Sequence, residues 1–145
     1  MDTHLVTCSG DRTARIVDPR ANVPEALHIL QGHSSTVKCA AWNPSHQYLL
    51  ATGGRDGNIH VWDLRVGTNM EVDEGEQGPN HLSPVMTIPY THEAFAGKPT
   101  RPKRGVIAAA KSVTSIVYTG EHEIVSSGSN DGYACLVVYV FVFTE

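Results

Sequence analysis

Short runs rich in β-branched residues, separated by turns built on Gly, Asp and Pro, set the pattern of this chain. The stretch from Val37 to Asp63 carries it most clearly. Residues 37–42 predict a first strand, 43–46 a turn around Pro44, 48–52 a second strand, 53–57 a second turn, and 58–63 a third strand. In that third strand Ile59 and Val61 point to one side while His60 and Trp62 point to the other. Both sides are bulky, so both faces of the sheet need cover, as in a sheet packed between neighbours. A fourth strand is expected at 84–90, and its counterpart in the preceding unit at 26–30.

The pattern recurs. Residues 4–18 align with the run that ends at Asp63 when Asp11 is set against Asp56, 45 positions apart. Residues 123–132 align again when Asp131 is set against Asp56, 75 positions on, which is one period plus an insertion of about 30 residues. Each copy is a β-rich run, a turn ending in Asp and a second β-rich run, hence a hairpin. A hairpin recurring about every 45 residues has the period of a four-stranded propeller blade.

Composition narrows the function. Eleven basic and 15 acidic side chains in 145 residues give no field that would draw the chain to nucleic acid or an anionic membrane. Cys8, Cys39 and Cys135 are odd in number and far apart, which excludes a disulfide framework or zinc ribbon and leaves small buried thiols in strands. No secretory signal opens the sequence. The longest apolar run, 134–143, is about half of a membrane-spanning helix and suits a buried strand.

With Trp62-Asp63 closing the third strand and Gly32-His33 ahead of the first, the chain resembles the WD-repeat family. The fold this implies is all-β: a partial WD-repeat β-propeller with one nearly complete four-stranded blade flanked by two incomplete ones. Residues 1–31 make the first incomplete blade, 32–90 the nearly complete blade with an acidic loop at 66–83, and 91–145 the second incomplete blade. The resemblance also implies a structural tetrad of His33, Thr52, Asp56 and Trp62, in which carboxylate, imidazole, hydroxyl and indole N–H satisfy one another. The alternative, a His/Asp/Thr catalytic triad, yields to this reading because the residues recur with the repeat. The first unit keeps Thr7 and Asp11 but has Val17 for the Trp; the third keeps Ser127 and Asp131 and lacks Trp-Asp. A chain of this extent is not expected to close a ring, and its open edges favour pairing or aggregation. It is therefore expected to be a piece of a longer receptor.

Within the family the chain resembles the denticleless-type substrate receptors of cullin-4 RING ubiquitin ligases. The similarity rests on the hairpin at 52–63, on a Lys- and Pro-rich insertion before Ser112, and on the runs 112–117 and 124–128. It implies a non-catalytic subunit with an adaptor-binding motif at Trp62, Asp63 and Arg65, and a degenerate counterpart at Asp18-Pro19-Arg20 that brings in Arg20. In a meander successive loops alternate between ends, so Arg55 and Arg65 should face different partners. The resemblance gives Arg65 and Arg20 to the damage-binding adaptor and Arg55 to the substrate to be ubiquitinated, in cell-cycle and DNA-replication control, with no small molecule and no cofactor. Guanidinium groups suit such contacts through their fork of donors; the bland alternative is a solvated arginine. A generic WD-repeat scaffold, or a fragment unable to act alone, are the other readings.

Between these motifs lies a two-part insertion. Residues 66–83 are acidic and Gly-rich, as in a mobile loop. Residues 98–104, within an insertion at 93–110, form a basic, Pro-stiffened run that fits a nuclear-import signal, a phosphate contact or a solvated linker. The expected compartment is the nucleus, with the cytoplasm as the alternative. His92 is the candidate for the third blade's missing Gly-His. His28 and His33 are metal ligands by residue type but lack a Cys or carboxylate at matching spacing.

Overall fold

The computed structural model describes residues 4–22, 26–66, 79–89, 91, 112–128 and 134–139. Within them every regular element is a strand, and no helix is long and apolar enough to cross a membrane. The strands are β1 (Leu5–Cys8), β2 (Thr13–Val17), β3 (Ala26–Gln31), β4 (Val37–Trp42), β5 (Leu49–Gly54), β6 (Ile59–Asp63), β7 (Asn80–Leu82), β8 (Met86–Ile88), β9 (Val113–Tyr118), β10 (Glu123–Gly128) and β11 (Ala134–Val138). They form three sheets, ordered β1-β2-β3-β7, β4-β5-β6-β8 and β11-β10-β9. The middle sheet is the four-stranded meander expected from the sequence, with its second strand carried two residues further, through Gly53 and Gly54. Its third strand is buried at all five positions, so both faces are covered.

Two apolar layers hold the sheets together. Ala14, Ile16 and Leu30 of the first sheet meet Leu50 and Trp62 of the middle one. On the other face Ala51, Ile59 and Val61 meet Val113, Ile116 and Ile124 of the third. The period-2 alternation of β6 thus feeds two cores at once, Ile59 and Val61 into one and Trp62 into the other.

Three findings correct the sequence reading. The acidic loop at 66–83 ends in a strand: Asn80–Leu82 pairs in parallel with His28–Leu30, and Leu82 is buried in the first core layer. A three-residue strand with a single apolar residue gives no period to detect. The chain then crosses from the first sheet to the middle one and continues as β8 against β6. Secondly, Ser126 and not Ser127 takes the position of Thr52 in the third sheet. Ser126 pairs with Ile116 and Cys135 as Thr52 pairs with Ala40 and His60, and Ser126 is the buried one. Alignment on Asp131, which lies outside the described residues, misplaces β10 by one. Thirdly, Cys8 is exposed, because β1 is an edge strand; Cys39 is half-buried and Cys135 buried. Burial pushes the Cys39 thiol up to about 12, too high for reactivity at neutral pH. The fourth-strand boundary at Tyr90, His92, the insertion at 93–110 and residues 140–145 lie outside the described residues.

The repeat is also legible in local geometry. Asp56 accepts the backbone N–H of Asn58 at 3.1 Å, and Asp11 accepts that of Thr13 at 2.9 Å. The residue after each Asp adopts a left-handed backbone, Gly57 at φ 82° and Arg12 at φ 75°. A side chain costs about 1–2 kcal/mol there. Arg12→Gly is therefore expected to stabilise the chain by about 0.5–1 kcal/mol once glycine's greater unfolded-state freedom is subtracted. A raised urea midpoint at unchanged slope would register it; an unchanged midpoint would remove the strain from the account.

Candidate functional site

The two ends of the middle blade carry different chemistry. At one end the β3–β4 loop delivers His33 to the β5–β6 turn. His33 Nδ1 lies 3.0–3.1 Å from both Asp56 carboxylate oxygens, and His33 Nε2 lies 2.8 Å from Thr52 Oγ1. Trp62 Nε1–H donates to the same Thr52 oxygen at 2.9 Å. One proton arrangement satisfies all four: indole N–H to Thr52, Thr52 O–H to His33 Nε2, and His33 Nδ1–H to Asp56. It requires a neutral imidazole. Burial lowers the His33 pKa by more than the neighbouring carboxylate raises it, which keeps the ring neutral. Burial alone would lift the Asp56 pKa, but donation from the Asn58 N–H, from His33 and from the Ser34 N–H outweighs it and holds the group ionised.

Close packing enforces this lock. A Cβ on Gly54 would sit 2.5 Å from His33 Nδ1 and 2.6 Å from Asp56 Oδ1, so only glycine fits beside this hydrogen-bonded pair.

His60 joins the set, which the motif alone does not indicate. Its ring meets that of His33 edge-on at 4.2 Å, and its Nδ1 lies 2.9 Å from Thr87 Oγ1 on β8. The lock thereby reaches the fourth strand. The available signal was that His60 shares a strand face with Trp62; its partner Thr87 lies beyond the insertion at 66–83 in sequence, too far for pattern to link them.

Neither a hydrolytic nor a metal site fits these residues well. Thr52 is fully buried and already accepts the indole N–H, so it has no access to a substrate. His33, Asp56 and His60 bring ligand atoms within 4.8 Å of one another, a donor set able in principle to hold a cation. Both His33 nitrogens are, however, already engaged inside the blade. His28 does not join His33; it lines a cleft at the opposite end with Arg65.

That opposite end is built by the exit of β6. Asp63, 4% exposed, accepts the Arg65 backbone N–H at 3.0 Å and grips its guanidinium twice, from Nε at 3.0 Å and from the terminal nitrogen at 2.7 Å. Burial alone would raise the Asp63 pKa, but these Arg65 bonds hold it below the ordinary range. The Arg65 guanidinium carbon sits 5.8 Å from the centre of the Tyr48 ring. The Arg65 side chain is 51% exposed. Between the first and middle sheets its end opens a cleft of about 240 Å³ lined by Leu27, His28, Gln47, Tyr48 and Leu64. Arg20 repeats the local turn, its N–H donating to Asp18 at 2.8 Å.

The four residues assigned to adaptor binding therefore separate. Trp62 is fully buried and Asp63 nearly so; they support the motif from within, and only Arg65 and Arg20 present side chains at the surface. Trp62 and Asp63 as direct contacts are corrected on that ground. Arg55 is exposed on the turn that holds Asp56, separated from Arg65 by the five residues of β6, roughly 15 Å.

Comparison with known proteins agrees with this geometry. The family "WD domain, G-beta repeat" matches residues 24–63. The chain is 33% identical over 132 residues to the denticleless protein homolog of Gallus gallus, covering 88% of this chain and 18% of the relative. It is 32% identical over 137 residues to the protein lethal(2)denticleless of Drosophila melanogaster and 30% identical over 131 residues to the denticleless homolog of Homo sapiens, in both cases over 88% of this chain and 17% of the relative. The chain thus spans less than a fifth of the length of these relatives. Residues 24–63 thus match the WD repeat, in a chain of recurring hairpins and packed sheets that is similar over most of its length to one stretch of the denticleless proteins.

Proposed function

We propose that this chain is a protein-docking module of a cullin-4 ubiquitin ligase substrate receptor, in which the Arg65 end meets the damage-binding adaptor and the Arg55 end meets the substrate. The observation that carries the reading is the Arg65 turn. A buried carboxylate fixes the guanidinium in place, an aromatic ring flanks it, and half of the side chain remains at the surface. Such an arginine loses little rotamer entropy on binding, which is the property of an interface anchor. Arg20, on the equivalent turn of the first sheet, supplies a second cation for the same partner. The similarity to the denticleless proteins supports the choice of partner.

Arg65→Ala is expected to weaken adaptor co-precipitation at least tenfold, since an anchor arginine is worth about 2 kcal/mol or more. Arg55→Ala, at the other end, should leave it unchanged. Equal capture by wild type and Arg65→Ala, both with the same thermal midpoint, would reject the adaptor reading and leave a general WD-repeat scaffold.

A further inference from the structure

We infer that the Arg55 end takes an acidic segment of a partner protein, its carboxylates held by Arg12, Lys38 and Arg55. The inference rests on the reading of that end as the substrate side and names the chemistry that side selects. Three segments build the surface. The Val37 N–H donates to the Ser9 carbonyl at 3.1 Å and the Arg55 N–H to the Thr36 carbonyl at 2.8 Å, so the β1–β2 turn, the start of β4 and the β5–β6 turn are laced together. Arg12, Lys38 and Arg55 stand one on each, and all three are exposed. Turns at the end of a blade remain at the surface whatever packs on its faces.

Charge is divided between the two ends of the blades. Among the described residues the Arg55 end carries Arg12, Arg15, Lys38 and Arg55 against Asp11 and Asp56. Both carboxylates are already engaged: Asp11 accepts from Thr13 and from Arg15 at 2.9 Å, and Asp56 is turned inward onto His33 and two backbone N–H groups. The other described acids, Asp18, Asp63, Glu121 and Glu123, lie at the Arg65 end. The Arg55 end therefore presents a local positive field on a chain whose formal net charge is -4. Three cations make too short a basic track for a nucleic acid, which the overall charge also repels, and suit a short acidic peptide.

Arg12 gives an independent sign that this surface is built for a ligand. Its backbone is left-handed, at φ 75°, where the equivalent turn of the middle blade has Gly57 at φ 82°. That conformation disfavours any side chain. Nothing inside the fold offsets it, because among the described residues the Arg12 side chain has no hydrogen bond or ion pair and is exposed. A side chain held against its own backbone preference, with no internal contact in return, acts outside the fold. A guanidinium meets a carboxylate with two parallel N–H donors, and the Lys38 ammonium adds a point charge.

Binding and stability should move in opposite directions at Arg12, which gives the test. Fluorescence anisotropy at low salt is run on the full chain with a labelled peptide of alternating Glu and Gly, with its Gln counterpart and with a DNA duplex, and urea unfolding is run in parallel. Wild type is expected to bind the Glu peptide about tenfold or more tighter than the Gln peptide, and less tightly as salt rises. Arg12→Gly should weaken the Glu peptide about tenfold while raising the urea midpoint, so the loss cannot come from unfolding. Arg12→Lys keeps the charge and should keep most of the binding; Arg55→Ala should lose it. Glu and Gln peptides bound equally, both lost in Arg55→Ala, would overturn the carboxylate inference and leave the substrate side standing. Absence of Glu-peptide binding, binding indifferent to both Arg12→Gly and Arg55→Ala, or tighter capture of the duplex would each overturn the inference as well. The adaptor takes no part in this measurement, so the Arg65→Ala result stands or falls separately.

Discussion

Asp56→Ala is expected to lower the unfolding free energy by about 3 kcal/mol or more, a large share of the stability of a small domain. The carboxylate accepts from the buried His33 ring and from the backbone N–H groups of Ser34 and Asn58. Truncation removes three bonds at once and leaves the buried His33 N–H without its acceptor, and an unsatisfied buried donor costs about 1–3 kcal/mol. Asp11, at the same place in the first repeat, makes the informative contrast. It accepts from Thr13 and Arg15, but its side chain is 43% exposed and water replaces those bonds. Asp11→Ala should therefore cost far less. Urea unfolding of the two variants tests the pair. Equal losses would mean that the turn geometry, common to both, carries the stability and that the buried network does not.

Acid is expected to unfold the middle blade through the two imidazoles. Burial first, and the adjacent His33 ring second, lower the His60 pKa from 6.5 to about 4, against the pull of Asp56 and of the Gly32 carbonyl. The unfolded chain thus binds this proton at a higher pH than the folded one, and stability falls as pH drops from about 6.5, levelling near 4. For His60 that difference corresponds to roughly 3 kcal/mol. His33 and His28, also lowered by burial, act in the same direction. Asp56 and Asp63 have depressed pKa values, so their contribution is present above 3.8 and is lost only below it. Urea midpoints measured from pH 7 to pH 4 should fall steadily. The fall should be much shallower in His60→Phe; the same slope in the variant would assign the titration elsewhere.

The extent to which the sequence revealed this molecule varies with the range of the interaction. The meander of the middle blade was legible because turn chemistry and period-2 alternation are local: Pro44, the Gly-rich turn at 53–57 and the Ile59/His60 alternation each act within a few residues. Thr52 and Trp62 were legible through a motif, and the structure joins them to His33 and Asp56 in a single network. Long-range features were not legible. The parallel pairing of Asn80–Leu82 with β3 depends on a partner in another sheet, and a short polar strand leaves no local trace of it. The register of β10 was misread because the paired Ser127 and Ala134 are seven positions apart where their counterparts Gly53 and Ile59 are six, and an alignment anchored on the turn Asp absorbs that extra residue in β10. The burial of Trp62 and Asp63 was likewise hidden. Trp62 and Asp63 are adjacent to Arg65 in sequence, yet two strong apolar and ionic demands draw them inward and leave the arginine outside.

The strand at Asn80–Leu82 also has a consequence for synthesis. The first sheet receives this outer strand from a segment made roughly fifty residues after β3 ends. At translation rates of about 5–20 residues per second, β3 waits on the order of 3–10 seconds on the ribosome with its outer edge unpaired. Its neighbour must be largely made before it is finished. The nascent first sheet is thus an obligate client of its successor, and this interval is when a chaperone has the most reason to hold it.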